Sequence, residues 1–255
     1  MHENRTSGRC ALALAGAMLL VVLNWGVSVR AGGVSAADIL KKADDFAYHK
    51  NMYYKIDVTL EDKDGAKSYL KMELFQKGVK RLLKWTEPTD VAGFAVLTKD
   101  PDTIYVYEPS LNKVRRIASS GKKQTMLGFD YTVDEGSSTS LAADYDPMIV
   151  ETKDDAYVLK LTQKAGKDKA WPVLKLVVVK DSWLSRTIDY CDDKEKVHKT
   201  ETRSSVVTMG GKKIAGKMKM FDHAKKHSTT YDVADASFET LDDELFTKRS
   251  LVREE

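Results

Sequence analysis

From residue 52 onward, apolar and polar side chains alternate with a period of two. In 52–60, Tyr54, Ile56, Val58 and Leu60 fall on one face, and Lys55, Asp57 and Thr59 on the other. Successive side chains of a strand point to opposite sides of a sheet, so this run predicts a half-buried strand. Asp62-Lys63-Asp64-Gly65 reads as a hairpin turn, and the return run places Leu70, Met72 and Leu74 opposite Lys71 and Glu73. Strand patterns continue at 79–85, 93–98, 103–107 and 113–117, then at 148–152, 157–163, 173–180, 183–191, 197–205, 213–221 and 229–233. Short turns such as Asp192-Asp193-Lys194 and Gly210-Gly211 separate most of them. No strand–helix alternation is present. A meander of about eleven antiparallel strands predicts a mainly β fold in which the sheet curls into a barrel or half-barrel.

Two stretches break the period. In 37–50, Ile39, Leu40, Ala43, Phe46 and Ala47 recur at helical spacing, with Asp38 in the first turn. Residues 119–147 are rich in Gly, Ser and Asp, yet carry Met126, Leu127, Phe129, Tyr131 and Leu141. A long ordered loop with a helical turn or two is expected there, and such loops commonly serve as lids or binding elements. Residues 242–251 read as a short terminal helix or turn. Neither a linker nor a repeat divides the chain.

The first residues change the picture of where the protein works. Arg5 and Arg9 precede a nearly unbroken apolar run over 11–29, and Val29-Arg30-Ala31 and Val34-Ser35-Ala36 both fit the small-residue cleavage rule. This predicts a secretory signal peptide over 1–36, cleaved after Ala31 or Ala36, and a single mature domain over 37–255. The run is also long enough for a marginal membrane anchor. Removing Arg5, Arg9, Arg30 and Glu3 lowers the formal net charge from +3 to +1. That balance offers no electrostatic footprint for nucleic acid. Cys10 lies before the apolar run, not after it, and Cys191 is then the only mature cysteine, so no intramolecular disulfide is expected.

Catalytic and metal-binding signatures are sparse. The chain has no G-x-S-x-G elbow, no P-loop, no H-E-x-x-H and no C-x-x-C. His223 and His227, four apart, would share a strand face and form half of a metal pair, or simply lie in a solvated Lys-rich turn. The paired acids at 44–45, 154–155, 192–193 and 242–243 fall in helix or turn positions and read as solvated. Cys191 reads as a small strand side chain, or as a nucleophile if His198 reaches it. We therefore expect no enzyme, no metal and no cofactor. Arg115 and Arg116 are adjacent on a strand, so one of them should face inward. A buried arginine needs an acidic partner, such as Asp130 or Asp134, or else a lipid headgroup or a partner protein.

The largest chemical resource is the apolar face itself. Tyr54, Ile56, Val58, Leu70, Met72, Leu74, Leu83, Trp85, Phe94, Val96, Ile104 and Val106 would converge on one side of a curled sheet. That face is filled by its own packing, by the loop with Met126, Leu127 and Phe129, or by a ligand.

Between 77 and 135 the order of residues is specific. A strand ends at Leu83-Lys84-Trp85, and Thr86-Glu87-Pro88-Thr89-Asp90 turns. Ala95-Val96-Leu97-Thr98 and Tyr105-Val106-Tyr107-Glu108-Pro109 follow, then Arg115-Arg116-Ile117 and Met126-Leu127-Gly128-Phe129-Asp130. The close over 238–251 has an acid-acid-x-Leu-Phe character. In these features the chain resembles the LolA-like periplasmic lipoprotein carriers, in particular the outer membrane lipoprotein-sorting branch. The resemblance implies an unclosed, strongly curved antiparallel barrel with a helical lid. It implies a periplasmic carrier that holds acyl chains of phospholipid or lipoprotein without catalysis, between an inner-membrane transporter and an outer-membrane acceptor. It also implies an alternative, a lipid-sensing or transporter-partner module of the same fold. One departure is visible. The carriers have an Arg-Pro before the Trp strand, whose arginine latches the lid, whereas Phe75-Gln76-Lys77-Gly78-Val79-Lys80 has none.

Overall fold

The computed structural model describes residues 33–252, so the expected leader lies outside the described residues as far as residue 32. The first element is helix α1 (Ala36–Ala47). Ser35 caps it, its hydroxyl accepting from the Asp38 N–H, and Ile39, Leu40 and Ala43 form its buried stripe.

Thirteen strands follow. They are β1 (Asn51–Glu61), β2 (Lys67–Lys77), β3 (Lys80–Glu87), β4 (Ala95–Asp100), β5 (Thr103–Glu108), β6 (Lys113–Arg116), β7 (Tyr145–Thr152), β8 (Ala156–Gln163), β9 (Val173–Val179), β10 (Ser185–Cys191), β11 (Val197–Met209), β12 (Lys212–Asp222) and β13 (His227–Ser237). They form one antiparallel sheet in the order β6-β5-β4-β3-β2-β1-β13-β12-β11-β10-β9-β8-β7. Every alternating run in the sequence is a strand, and these runs number thirteen, so the expected count of about eleven was short by two. Strands β6 and β7 end the sheet without pairing to each other, so it is curved but not closed. The connection from β6 to β7 is the long loop, which holds a 3-10 turn at Ser119–Lys123 and the short helix α2 (Val133–Ser137).

Most neighbours in sequence are neighbours in the sheet, joined by tight turns. At the first hairpin the Asp62 carboxylate accepts from the N–H groups of Asp64 and Ala66, both at 2.9 Å. Gly65 supplies the left-handed conformation there, with φ +83°. The exception is β13, which pairs with β1 and so brings the chain's two halves together along the middle of the sheet.

Three apolar clusters hold the fold. On the inner face, β1–β5, β12 and β13 carry one cluster, packed under the β6–β7 loop. The same face of β7–β10 carries a second, covered by α1. On the outer face, Leu82, Ala95 and Leu97 pack against Phe246 and Leu251 of the C-terminal segment, whose 3-10 turn spans Asp243–Phe246. A fully buried Leu or Ile contributes roughly 1.5–3 kcal/mol, so each cluster is a substantial share of a marginal total. Among the described residues no helix is long and apolar enough to cross a membrane.

Candidate functional site

The twelve residues of the predicted dry face converge. Tyr54, Ile56, Val58, Leu70, Met72, Trp85, Phe94, Val96, Ile104 and Val106 are buried in the first inner cluster, with Leu74 and Leu83 partly buried against it. The strand register explains why. Ile56 opposes Met72, Met72 opposes Trp85, Leu83 opposes Val96, and Val96 opposes Val106, so a single face runs across five strands.

The three residues expected in a lid lie on this face. Met126, Leu127, Gly128 and Phe129 make a tight turn, closed by the Phe129 N–H donating to the Met126 carbonyl at 2.9 Å. Leu127 and Gly128 both have left-handed backbone, at φ +52° and +78°. The turn drives Phe129 inward, edge-on to Trp85 with centroids 5.5 Å apart. Helix α2 follows, with Thr132 and Glu135 forming a reciprocal capping box.

Several polar contacts tie α2 to the sheet. Arg81 Nη1 donates to the Gly136 carbonyl at 2.8 Å, and the Thr98 hydroxyl to that of Ser137 at 3.0 Å. Asp134 pairs with Lys169 at 2.7 Å. Glu135 accepts from the Thr132 N–H and Trp171 Nε1–H, both at 2.5 Å, and lies 3.4 Å from Lys199 Nζ. Burial pushes the Glu135 carboxyl above its ordinary value, against the pull of Lys199.

The departure noted in the sequence stands, since no Arg-Pro precedes Trp85, but an arginine does contact the lid segment. The stretch 75–80 lacks an arginine, but the next residue, on β3, reaches the lid. Arg81 shares parity with Leu83 and Trp85, so it must face inward. It is 6% exposed and bonds the buried Gln76 side chain through Nε and Nη2. Among the described residues no carboxylate lies within ion-pair distance of it, and burial lowers its guanidinium to about 10.

Strand β11 breaks the apolar pattern of the inner face. Lys199, Glu201 and Arg203 all point inward, and the first two are buried. Glu201 accepts from the Tyr190 hydroxyl at 2.9 Å and from Arg203 Nε at 2.5 Å. Burial opposes the charge of Arg203, but Glu201 holds its guanidinium above the ordinary value.

A cavity of about 140 Å³ separates this charged strand from the apolar half. Its wall joins Met52, Ile56, Met72, Leu83 and Met218 to Arg81, Glu135, Glu201 and Arg203. A smaller cavity of about 50 Å³ lies between Trp85, Met126, Phe129 and Val133 and shares Leu83, Tyr131, Gly136 and Tyr231 with the first. Drug-sized ligands occupy roughly 300–1,000 Å³, so this inner space is mostly filled by the protein's own side chains.

The other singled-out residues lie elsewhere. Arg115 and Arg116 are both exposed, because β6 is a four-residue edge strand with water on either side. Arg115 pairs with Glu108 at 3.2 Å, and Arg116 donates to the Asp102 carbonyl at 3.1 Å. The inward orientation expected for one of them is not found. Asp130, offered as a partner, instead accepts from Thr229 and bonds His227, while Asp134 holds Lys169. His223 bonds Thr200 at 2.9 Å, so the two histidines have separate partners. Among the described residues no three metal-ligating side chains cluster. Cys191 is fully buried, its thiol pushed up by desolvation, and His198 pairs with Asp192 at 2.9 Å.

This geometry, an open curved sheet with a looped lid over an apolar inner face, is the LolA-like fold. An outer membrane lipoprotein-sorting protein domain from Vibrio parahaemolyticus matches at TM-score 0.76 and 23% identity, over 86% of this chain and 98% of that one. A LolA superfamily protein from Nitrosomonas europaea matches at TM-score 0.73 and 22% identity, over 86% of this chain and 100% of that one. A DUF1329 family protein from Desulfovibrio piger matches at 0.77 and 22%, over 85% and 97%. In sequence, residues 77–253 match the model of a family described as "-like: Uncharacterized protein", and the chain belongs to that family. No curated protein matches it.

Proposed function

We propose that the protein is an exported, non-catalytic carrier that holds acyl chains of a phospholipid or lipoprotein against its inner face, in the periplasm. The observation that carries this reading is the apolar face of β1–β5, closed only by a loop and a five-residue helix. Each acyl methylene moved there from water is worth about 0.8 kcal/mol. The inner-membrane transporter and outer-membrane acceptor that such a carrier serves belong to the same proposal, as does the cleaved leader.

The two cavities on the inner face are too small to admit a chain as they stand, so uptake there requires the segment 126–137 to lift. The tether between Thr98 and Ser137 gives a direct test. A Thr98→Cys/Ser137→Cys pair would fasten the lid under oxidation. Wild type should bind a fluorescent fatty acid and release it to unlabelled competitor. The oxidised pair should bind at least about tenfold more weakly, recovering on reduction. Wild-type protein that takes up no fatty acid ends the carrier reading and leaves the alternative, a structural or transporter-partner module.

A further inference from the structure

The cavity wall carries two cations, Arg81 and Arg203, and two carboxylates, Glu135 and Glu201, but Lys199, outside the wall, also draws on Glu135. Glu135 is taken by the Thr132 and Trp171 N–H groups and by Lys199. Glu201 is taken by Tyr190 and by Arg203 Nε. Those are two carboxylates for three cations, and Arg81, with neutral acceptors only, is the one left over. Arginine forks suit planar oxyanions, and a desolvated cation without one is costly.

The unpartnered donors face the same space. Arg203 uses only Nε, and among the described residues nothing accepts from its Nη1 or Nη2. The Tyr131 hydroxyl is buried with no hydrogen-bond partner. Tyr48, Tyr54 and Tyr231 also line the cavity, and no described residue is hydrogen-bonded to their hydroxyls. Buried polar groups are nearly always satisfied, so the buried Tyr131 hydroxyl needs an acceptor, and the other donors lining the same cavity converge on the space where a ligand could supply one. The neighbouring small cavity, with its Trp85, Met126 and Phe129 walls, leads from these donors into the apolar half.

We infer that this cavity seats the oxyanion head of an acyl amphiphile, a fatty-acid carboxylate or a phospholipid phosphate, on Arg203 and the tyrosine hydroxyls beside Arg81. The head enters first, and the chain runs along the apolar half. This rests on the carrier reading and names the chemical class of its cargo: anionic, not neutral, amphiphiles.

The test compares matched pairs by calorimetry on the mature protein: dodecanoate with dodecanol, and oleoyl lysophosphatidate with monoolein. Each anion should bind at least about tenfold more tightly than its neutral partner. The stronger of the two preferences distinguishes a carboxylate from a phosphate source. Arg203→Met alone would strand Glu201, so the double variant Arg203→Met/Glu201→Gln is used, with folding checked by circular dichroism. It should lose the preference while keeping the affinity for monoolein within about twofold. Inorganic phosphate alone, read by thermal shift, reports on the seat without the chain. Equal affinity for anionic and neutral partners overturns the seat and leaves the carrier reading intact, as does a preference that survives in the folded double variant. A phosphate shift that depends on Arg203, without binding of any amphiphile, keeps the seat and ends the carrier reading. No response to any probe overturns both, and water then satisfies these donors.

Discussion

The inner face of one sheet contains two regions built on opposite terms. Across β1–β5 it is apolar throughout, from Ile56 through Met72 and Trp85 to Val96. On β11, two strands beyond β13, the same face carries Lys199, Glu201 and Arg203. The apolar region is held by area and packing, and many side chains share the load. The charged region is held by a few directed contacts, in which each removed partner leaves another group orphaned. The first can yield to a chain of any shape, whereas the second can discriminate. The cavity lies at their junction.

The sharpest way to break the contrast is to write one region's chemistry into the other. Ile56→Glu places an unpaired carboxylate in the apolar half, where Ile56 is 3% exposed. The expected loss of stability is several kcal/mol, at least about 3, in urea denaturation at neutral pH. Burial raises the pKa of the new carboxyl, so the deficit should shrink as pH falls and the group becomes neutral. Asp57→Lys, one residue away on the exposed face, should change stability by no more than about 0.5 kcal/mol. Comparable losses from both would mean that the two faces of β1 are not distinct.

Glu135→Ala strikes the charged region. It deprives the Thr132 and Trp171 N–H groups of their acceptor and Lys199 of its counter-charge, at a cost of about 3 kcal/mol. Glu135→Gln retains an acceptor. The Glu135 carboxyl is raised in the folded protein, so its ionisation subtracts stability as pH climbs from the unfolded carboxylate value through the folded one. The Gln variant should therefore gain on wild type across that window. A gap that widens in the opposite direction would show that Lys199, not burial, dominates this site.

The apolar region was legible because alternation is a strong signal: each of its twelve residues is placed by parity alone. The same parity also places Arg81 inward, in line with Leu83 and Trp85, but a search for an Arg-Pro motif passes over it. Arg115 and Arg116 drew attention through adjacency, yet burial depends on a strand's place in the sheet. Strand order is set by the β1–β13 pairing, which no local pattern reveals. In β11, polar side chains on both faces of 197–205, with Lys199, Glu201 and Arg203 all on one of them, were a readable anomaly for a strand deep in a large sheet. Recognising it requires knowing that β11 is central, and that too is a long-range fact.

A smaller effect concerns the cover over the second apolar cluster, on β7–β10. Helix α1 begins at the Ser35 cap, whose hydroxyl also donates to Asp38 Oδ2 at 2.7 Å. Ser35→Ala should cost about 1 kcal/mol, and cleavage after Ala36 would remove the cap altogether. If the proposed leader is cleaved, N-terminal sequencing should give Gly32, which keeps the cap; a start at Ala37 would mean that the mature helix has no Ser35 cap.

The smallest effect lies on the outer face, where neither region should be felt. Asp243 accepts from Lys77 and Lys80, each at 2.8 Å, and these two bonds hold its carboxyl down to about 2. The unfolded value is about 3.9, so the contact contributes fully above that pH and is lost as pH falls towards the folded value. Both lysines are partly or well exposed and Asp243 itself lies in solvent, so salt should screen most of the contribution. Asp243→Asn should therefore flatten the acid limb of stability slightly at low ionic strength, and leave it unchanged in molar salt. Hydrogen exchange should show the change confined to the C-terminal segment that carries Phe246 and Leu251 over Leu82 and Leu97. Faster exchange in α2 as well would mean that the outer cover and the lid move together, and that the two inner regions are not separated from the face behind them.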